Sequence, residues 1–251
     1  MSRRMPRYDQ HFLCSEAYAQ RIVAAVKPQP DEITLEIGPG RGALTKYLLL
    51  RDQPLIAVEI DKRCLEELQK LPAAEKAHWV HGDFRQLALS AERSYFLVSN
   101  LPYSLTGPAL FWILERRWQV REGILMLQAE VAKRLYASEG SRDFTRLTVL
   151  FRSVYAVERL FRVPPGAFCP PPRVRSEVIR FLRRADVWEP WESFAAFVRV
   201  AFRQPRQKLA KNLRPLSLPL PPEWSDKRPH QLSLSVYYTL WQIYKDAQGT
   251  I

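Results

Sequence analysis

Two runs, Ile33–Ile37 and Tyr95–Ser99, are apolar enough to read as buried strands, and residues 55–60, 78–80 and 124–127 read as further strands, 78–80 the weakest. Residues 43–50, 63–70, 107–115 and 129–137 alternate with them and have helical spacing. Ser15 is placed to cap an earlier helix running to about Val26, with Tyr18, Ile22, Val23 and Val26 on one face. This alternation predicts an α/β fold: a doubly wound, Rossmann-like parallel sheet with helices on both faces. Past Arg146 the pattern changes. Residues 147–155 fit either a helix or a strand, and 157–163 and 176–182 read as strands around a proline-rich turn, 164–172. After Arg184 no strand pattern remains; residues 191–214 and 233–246 read as helical, joined by the proline-rich link 215–222. The expected organisation is therefore a domain of residues 1–184 followed by a small all-α domain, 185–251.

The 251 residues are 47% hydrophobic and 25% charged, enough to bury a core. Lys and Arg number 38 against 26 acids, a net charge of +12, which points to a polyanionic partner without separating RNA from DNA or anionic lipid. Cys14, Cys64 and Cys169 form neither a disulfide framework nor a CxxC metal site, so a reducing cytoplasm and no bound metal are expected. The basic start, residues 1–7, has no apolar stretch behind it, so no signal peptide is expected, and no apolar run approaches membrane-spanning length.

The chemistry sits at strand ends. Glu36-Ile-Gly-Pro-Gly-Arg-Gly42 follows the first buried strand, and glycines there, Gly38 and Gly40 among them, allow a sharp turn and close approach of a ligand. The spacing is not that of GxGxxG, and a tight strand-to-helix turn would also use it. Glu59, at the end of the next strand, is placed to accept two ribose hydroxyls, and Asp83, in Gly82-Asp83-Phe84, to accept from an adenine amino group. Each alone is equally a solvated acid or an ordinary turn. Together, in order, they resemble motifs I to III of class I methyltransferases, which implies S-adenosylmethionine as cofactor.

Asn100-Leu-Pro-Tyr103, at a fourth strand end, resembles the Asn-Pro-Pro-Tyr and Asn-Leu-Pro-Tyr motif of enzymes that methylate planar amino nitrogens. The N6 lone pair of adenine is delocalised and weakly nucleophilic. The Asn100 side-chain oxygen and the Leu101 carbonyl can each accept one N6 hydrogen, Pro102 stiffens that carbonyl, and Tyr103 offers a face to an extruded base. Phe168-Cys-Pro-Pro-Pro-Arg-Val174, with Ser176 after it, resembles the Phe-x-Pro-Pro-Pro-Lys-Val-x-Ser block of the KsgA/RsmA-type ribosomal RNA adenine dimethylases. In that resemblance Phe168 is the second plate of an aromatic sandwich facing Tyr103. Gln10-His-Phe-Leu13 is similar to the family's Gly-Gln-Asn-Phe-Leu, which places His11 and Leu13 at the cofactor. Residues 127–134 and 201–213 resemble further family segments, so the likeness runs from about Gln10 to about Tyr244. Two departures fall in the first of these segments: Asp9 stands for the family Gly, and His11 for its Asn.

Arg203, Arg206, Lys208 and Lys211 lie in a stretch without an acid, with Val198, Phe202, Leu209 and Leu213 able to face inward, and read as a surface for RNA phosphates. Pro205 is expected to kink or restart that helix. The resemblance implies dimethylation of N6 on two adjacent adenines in a hairpin loop near the 3′ end of small-subunit ribosomal RNA. The partner is then that RNA or a pre-30S particle, with a monomeric enzyme and no membrane. Two alternatives stay open: an Erm-type enzyme acting on large-subunit rRNA, and a methyltransferase-like assembly factor without catalysis. A DNA adenine methyltransferase is disfavoured, since no target-recognition insertion is visible.

Overall fold

The computed structural model describes residues 11–248; Asp9 and Gln10 lie outside the described residues. Contacts divide the chain into two compact units, one formed by residues through Ala132 together with Glu158–Arg183, the other by Lys133–Val157 and the chain from Arg184 on. By contacts the second unit joins the chain from Arg184 on to Lys133–Val157, a stretch that the sequence pattern places with the first domain.

The first unit is built on a seven-stranded sheet. Its elements are β1 (Phe12–Leu13), α1 (Glu16–Ala25), β2 (Ile33–Ile37), α2 (Thr45–Leu48), β3 (Leu55–Glu59), α3 (Lys62–Leu68), β4 (Ala77–His81), β5 (Tyr95–Ser99), α4 (Thr106–Glu115), β6 (Val120–Gln128), the start of α5 (Ala129–Tyr136), most of β7 (Tyr155–Val163), β8 (Phe168–Cys169) and β9 (Ser176–Arg183). The strand order is β4-β3-β2-β5-β6-β9-β7, parallel from β4 through β6, with β9 antiparallel to β6. The order runs outward in both directions from β2 and β5, so a crevice opens at their carboxyl ends. Every residue of β5 is buried, as expected of a central strand covered on both faces. On one face Ile22, Val23 and Val26 of the α1 segment pack with Leu48, Phe96, Val98, Ile124 and Val178. Ser15 stands at the N-cap of α1 in extended conformation but makes no side-chain capping bond.

β6 is longer than the apolar run 124–127 suggested, because Val120–Gly123 continues the ladder beside β5 and β9. β1 and β8 form a separate two-stranded antiparallel ribbon, with Phe12 opposite Cys169 and Leu13 opposite Phe168.

The second unit is helical apart from the first residues of β7. Residues 147–155, ambiguous from sequence, form α6 (Arg146–Arg152) followed by the start of β7. The Thr145 amide donates to Thr148 Oγ1 at 2.8 Å, which starts the helix. The helical stretch 191–214 is interrupted, as expected at Pro205: α7 (Trp191–Ala201) stops, residues 202–208 form an irregular loop, and α8 (Leu209–Leu213) restarts after it. A short α9 (Pro222–Ser225) and the long α10 (Leu234–Gln248) follow. Phe194 and Trp241 meet edge to face at 5.5 Å in the core of this unit. No helix among the described residues is long and apolar enough to cross a membrane.

Candidate active site

The turns after β2, β3, β4 and β5 converge on one cavity in the first unit, closed on another side by the β1–β8 ribbon. Its walls include every residue expected at the cofactor or the reacting base: His11, Leu13, Gly38, Gly40, Glu59, Asp83, Asn100, Leu101, Pro102, Tyr103 and Phe168.

The turn after β2 depends on glycine at two positions. Gly38 and Gly40 have φ of +68° and +57°. A Cβ would meet Leu101 Cδ2 at 3.0 Å in the first case and the Phe12 ring at 3.2 Å in the second. The turn is held by Glu59, only 4% exposed: Oε2 accepts from the Gly40 amide and Oε1 from the Asp61 amide, both at 2.9 Å. Each oxygen keeps lone-pair capacity, so the carboxylate can organise the turn and still accept ligand hydroxyls. Beneath it Glu36, at 2% exposure, has one carboxylate oxygen, Oε2, without a hydrogen-bond partner.

Asp83 accepts from the Arg85 amide at 2.9 Å and is gripped by the Arg85 guanidinium. That hydrogen-bonded cation holds its carboxyl below the usual range, so it stays an acceptor. Between these acids Ile60 is 47% exposed and lines the cavity. An exposed apolar residue between Glu59 and Asp61 suits an aromatic ring lying over it; in the sequence its one trace is an isoleucine set between two acids.

Ser99 Oγ donates to the Ile37 carbonyl at 2.7 Å, tying the tips of β5 and β2 together and setting Asn100 beside the glycine turn. The Asn100 side-chain amide makes no hydrogen bond to other described residues, so its oxygen is available to substrate. Pro102 has φ −52° and ψ 141°, an extended geometry fixed by its ring, and Tyr103 opens a 3-10 turn, Tyr103–Leu105. The Tyr103 hydroxyl shares a hydrogen bond of 3.0 Å with Ser176 Oγ at the start of β9. Burial pushes the phenol up, with the Ser176 bond opposing, so it stays protonated. The closing Ser of the proline block is thus an anchor for Tyr103, a contact across 73 residues with no local signal.

The aromatic neighbour of Tyr103 is His11, with ring centroids 5.7 Å apart and a 37° tilt. His11 Nδ1 lies 2.8 Å from the Pro170 carbonyl, which can only accept, so Nδ1 carries the hydrogen. Phe168, the residue expected to face Tyr103, is 3% exposed and packs in the core with Leu13, Val163 and Val178 while lining the cavity. In the second unit Arg203, Arg206, Lys208 and Lys211 are all exposed, and Val198, Phe202, Leu209 and Leu213 are buried beneath them. An acid from outside the stretch does reach it: Asp226 pairs with Lys208 at 2.8 Å.

A doubly wound sheet with a glycine turn, two carboxylates and an Asn-Leu-Pro-Tyr turn around one cavity defines a class I methyltransferase. A model of the ribosomal RNA adenine dimethylase family matches residues 1–226. Ribosomal RNA small subunit methyltransferase A of a Burkholderia species is 43% identical over 217 residues, covering 82% of this chain and 78% of the relative. That of Laribacter hongkongensis is 40% identical over 224 residues, 85% of each chain. Among solved structures, a dimethyladenosine transferase from Plasmodium falciparum superposes with a TM-score of 0.83 at 22% identity, covering 95% of this chain and 98% of that one. The 23S rRNA methyltransferase ErmE superposes at 0.72 with 23% identity, covering 93% and 99%. The chain belongs to the ribosomal RNA adenine dimethylase family. As a member of it, the chain is a ribosomal RNA adenine dimethylase that uses S-adenosylmethionine; the likeness to ErmE, at 23% identity, is one of fold.

The cavity fits that cofactor: the glycine turn leaves no room for a Cβ, Glu59 and Asp83 offer oxygens, and Ile60 offers an apolar face. Glu59→Ala is expected to weaken S-adenosylmethionine binding by about 1.5–3 kcal/mol, since a charged acceptor and the brace of the Gly40 turn go together. Calorimetry on the folded variant measures it, and parental affinity would remove Glu59 from the site.

Proposed function

We propose that Asn100 and the Leu101 carbonyl capture the two N6 hydrogens of a target adenine in small-subunit rRNA and carry it through two successive methylations. The observation behind this reading is a single one: Asn100, with an unengaged amide, opens into the same cavity as Glu59 and Asp83. S-adenosylmethionine, when bound, supplies an electrophilic methyl group on a sulfonium sulfur. The protein's part is to hold and polarise the nucleophile. The Asn100 oxygen and the Leu101 carbonyl draw N6 out of conjugation and stabilise the positive charge that grows on it. Tyr103, anchored by Ser176, offers its ring to the extruded base, and His11 and Phe168 complete the wall around it. The first transfer leaves a cationic N6 that loses one proton to solvent, so one N6 hydrogen remains. The amine turns to offer it to one acceptor, takes the second methyl group, and then releases that last proton to solvent.

In this reading the targets are two adjacent adenines in a hairpin loop near the rRNA 3′ end, where unstacked bases are accessible. The enzyme acts as a cytoplasmic monomer on the RNA or a pre-30S particle, and residues 185–251 hold RNA through Arg203, Arg206, Lys208 and Lys211. Nucleoside analysis after incubation with each ribosomal RNA tests the target: N6,N6-dimethyladenosine is expected in small-subunit RNA, and product in large-subunit RNA alone would defeat the proposal. Neutralising the four basic residues together is expected to weaken RNA binding and leave cofactor affinity unchanged. Each lost phosphate contact should lower the log–log salt slope by somewhat under about one unit. Lys208, already paired with Asp226, should contribute least. A parental salt slope would show that this face does not touch phosphate.

A further inference from the structure

Two of the three cysteines, distant in sequence, come together on the ribbon that closes the cavity. With Phe12 opposite Cys169 and Leu13 opposite Phe168, the register continues to Cys14 opposite Ala167, where the Cys14 amide donates to the Ala167 carbonyl at 2.8 Å. Side chains alternate between ribbon faces, so Cys14 and Cys169 share a face as diagonal neighbours, while Leu13 and Phe168 turn to the other. Leu13 and Phe168 are buried; both cysteines are free and exposed.

We propose that Cys14 and Cys169 are an oxidation site: a peroxide-class oxidant joins them in a disulfide that locks the β1–β8 ribbon and hinders cofactor exchange. The Cys14 thiol donates to the Phe12 carbonyl at 3.4 Å, on the residue that stands opposite Cys169. A disulfide needs Cα atoms within about 4.4–6.8 Å, so a diagonal pair closes only if the two strands draw together. That movement reaches the residues between them, because Phe12 touches the glycine turn at Gly40 and Leu13 and Phe168 line the cavity. One thiolate attacks a peroxide oxygen, the O–O bond breaks and hydroxide leaves, giving a sulfenic acid; the hydroxide takes up the proton the thiol gave up and becomes water. The second thiolate attacks that sulfur, the S–S bond forms and hydroxide departs, taking up a proton. Two thiols and one peroxide thus give one disulfide and two waters. Cys64 is off the ribbon and less exposed than the other two, so it should be the slowest to react. The effect on cofactor binding rests on the assignment of this cavity as the cofactor site; bond formation does not.

The test uses the full-length protein and hydrogen peroxide at stoichiometric dose. Non-reducing peptide mapping is expected to show a Cys14–Cys169 linked peptide with Cys64 still free. Calorimetry should show S-adenosylmethionine affinity falling by about tenfold or more and returning after dithiothreitol, as expected when a closing segment is pinned. Cys14→Ser and Cys169→Ser should each bind cofactor like the parent and lose no affinity under peroxide. Separate sulfinic acids without a linked peptide would overturn the proposal. So would a linked peptide with unchanged affinity in a protein whose Glu59→Ala variant does bind more weakly, since the cavity assignment then stands. If Glu59→Ala binds normally, that assignment has failed instead, and the linked peptide alone decides whether the oxidation site exists.

Discussion

Asn100→Ala is expected to lower single-turnover methyl transfer by about 10²–10³-fold while S-adenosylmethionine and RNA affinities stay near those of the parent. In the proposed mechanism the acceptor bond from Asn100 to N6–H strengthens as positive charge develops, so its loss falls on the transition state more than on the ground state. The side chain makes no other hydrogen bond among the described residues, so its removal leaves no orphaned partner in the protein and little reason for misfolding. Tyr103→Ala provides the contrast. It removes a stacking surface worth about 1–3 kcal/mol and leaves Ser176 Oγ, in a residue 1% exposed, without its partner. Base capture should therefore suffer along with the chemical step. Rapid-quench assays on unmethylated and monomethylated RNA distinguish the two variants. Near-parental rates for Asn100→Ala on both substrates would remove Asn100 from the chemistry.

Glu36→Gln is expected to change how stability depends on pH. Burial, opposed by the Thr45 hydroxyl and reinforced by the charge of Glu59, pushes the Glu36 carboxyl up to about 8 from an unfolded value of 4.5. The folded state therefore holds this proton more tightly than the unfolded state. Its contribution to stability is complete below the unfolded value, declines as pH rises, and is gone above about 8. Each pH unit inside that window weakens the parent by up to about 1.4 kcal/mol, and glutamine has no proton to lose. Measured by denaturant unfolding at pH 5 and pH 8, the difference between variant and parent should move by up to about 4 kcal/mol in the variant's favour. A fixed cost of placing an amide there cancels in that comparison. Parallel stability profiles would show that Glu36 does not titrate in this range.

The site was legible because its residues stand at strand ends in a fixed order. β2 and β5 are apolar runs with one plausible state, and the turn that follows each is short, so Gly38 and Asn100 could be placed without knowing any long-range contact. Residues 147–155 resisted for the opposite reason. Val149, Leu150, Phe151, Val154 and Tyr155 are all buried, so no polar face marks the period. The membership of Lys133–Val157 in the second unit is a matter of tertiary contact, for which adjacency in sequence is a poor guide. The break after α7 was signalled by Pro205, but the loop itself closes through Asn212, which sequence periodicity treats as just another helical position. Tyr103 with Ser176, and Cys14 with Cys169, depend on register between distant strands and had no local trace.

That closure by Asn212 bears on how the basic loop would meet the phosphates proposed for it. The Asn212 side chain, in a residue only 4% exposed, accepts from the Gln204 amide and donates to the Gln204 carbonyl, both at 3.0 Å. A side-chain amide thus pairs with the loop backbone much as a neighbouring strand would. Phe202 and Leu209 pin the two ends of the loop in the core. The backbone carrying Arg203 and Arg206 is consequently ordered before any phosphate arrives, and binding has only the outer side-chain torsions left to freeze. Positions such as Gln207 can then change identity freely, whereas exchanging Asn212 for a residue without both a donor and an acceptor would turn a rigid cationic bracket into a tether.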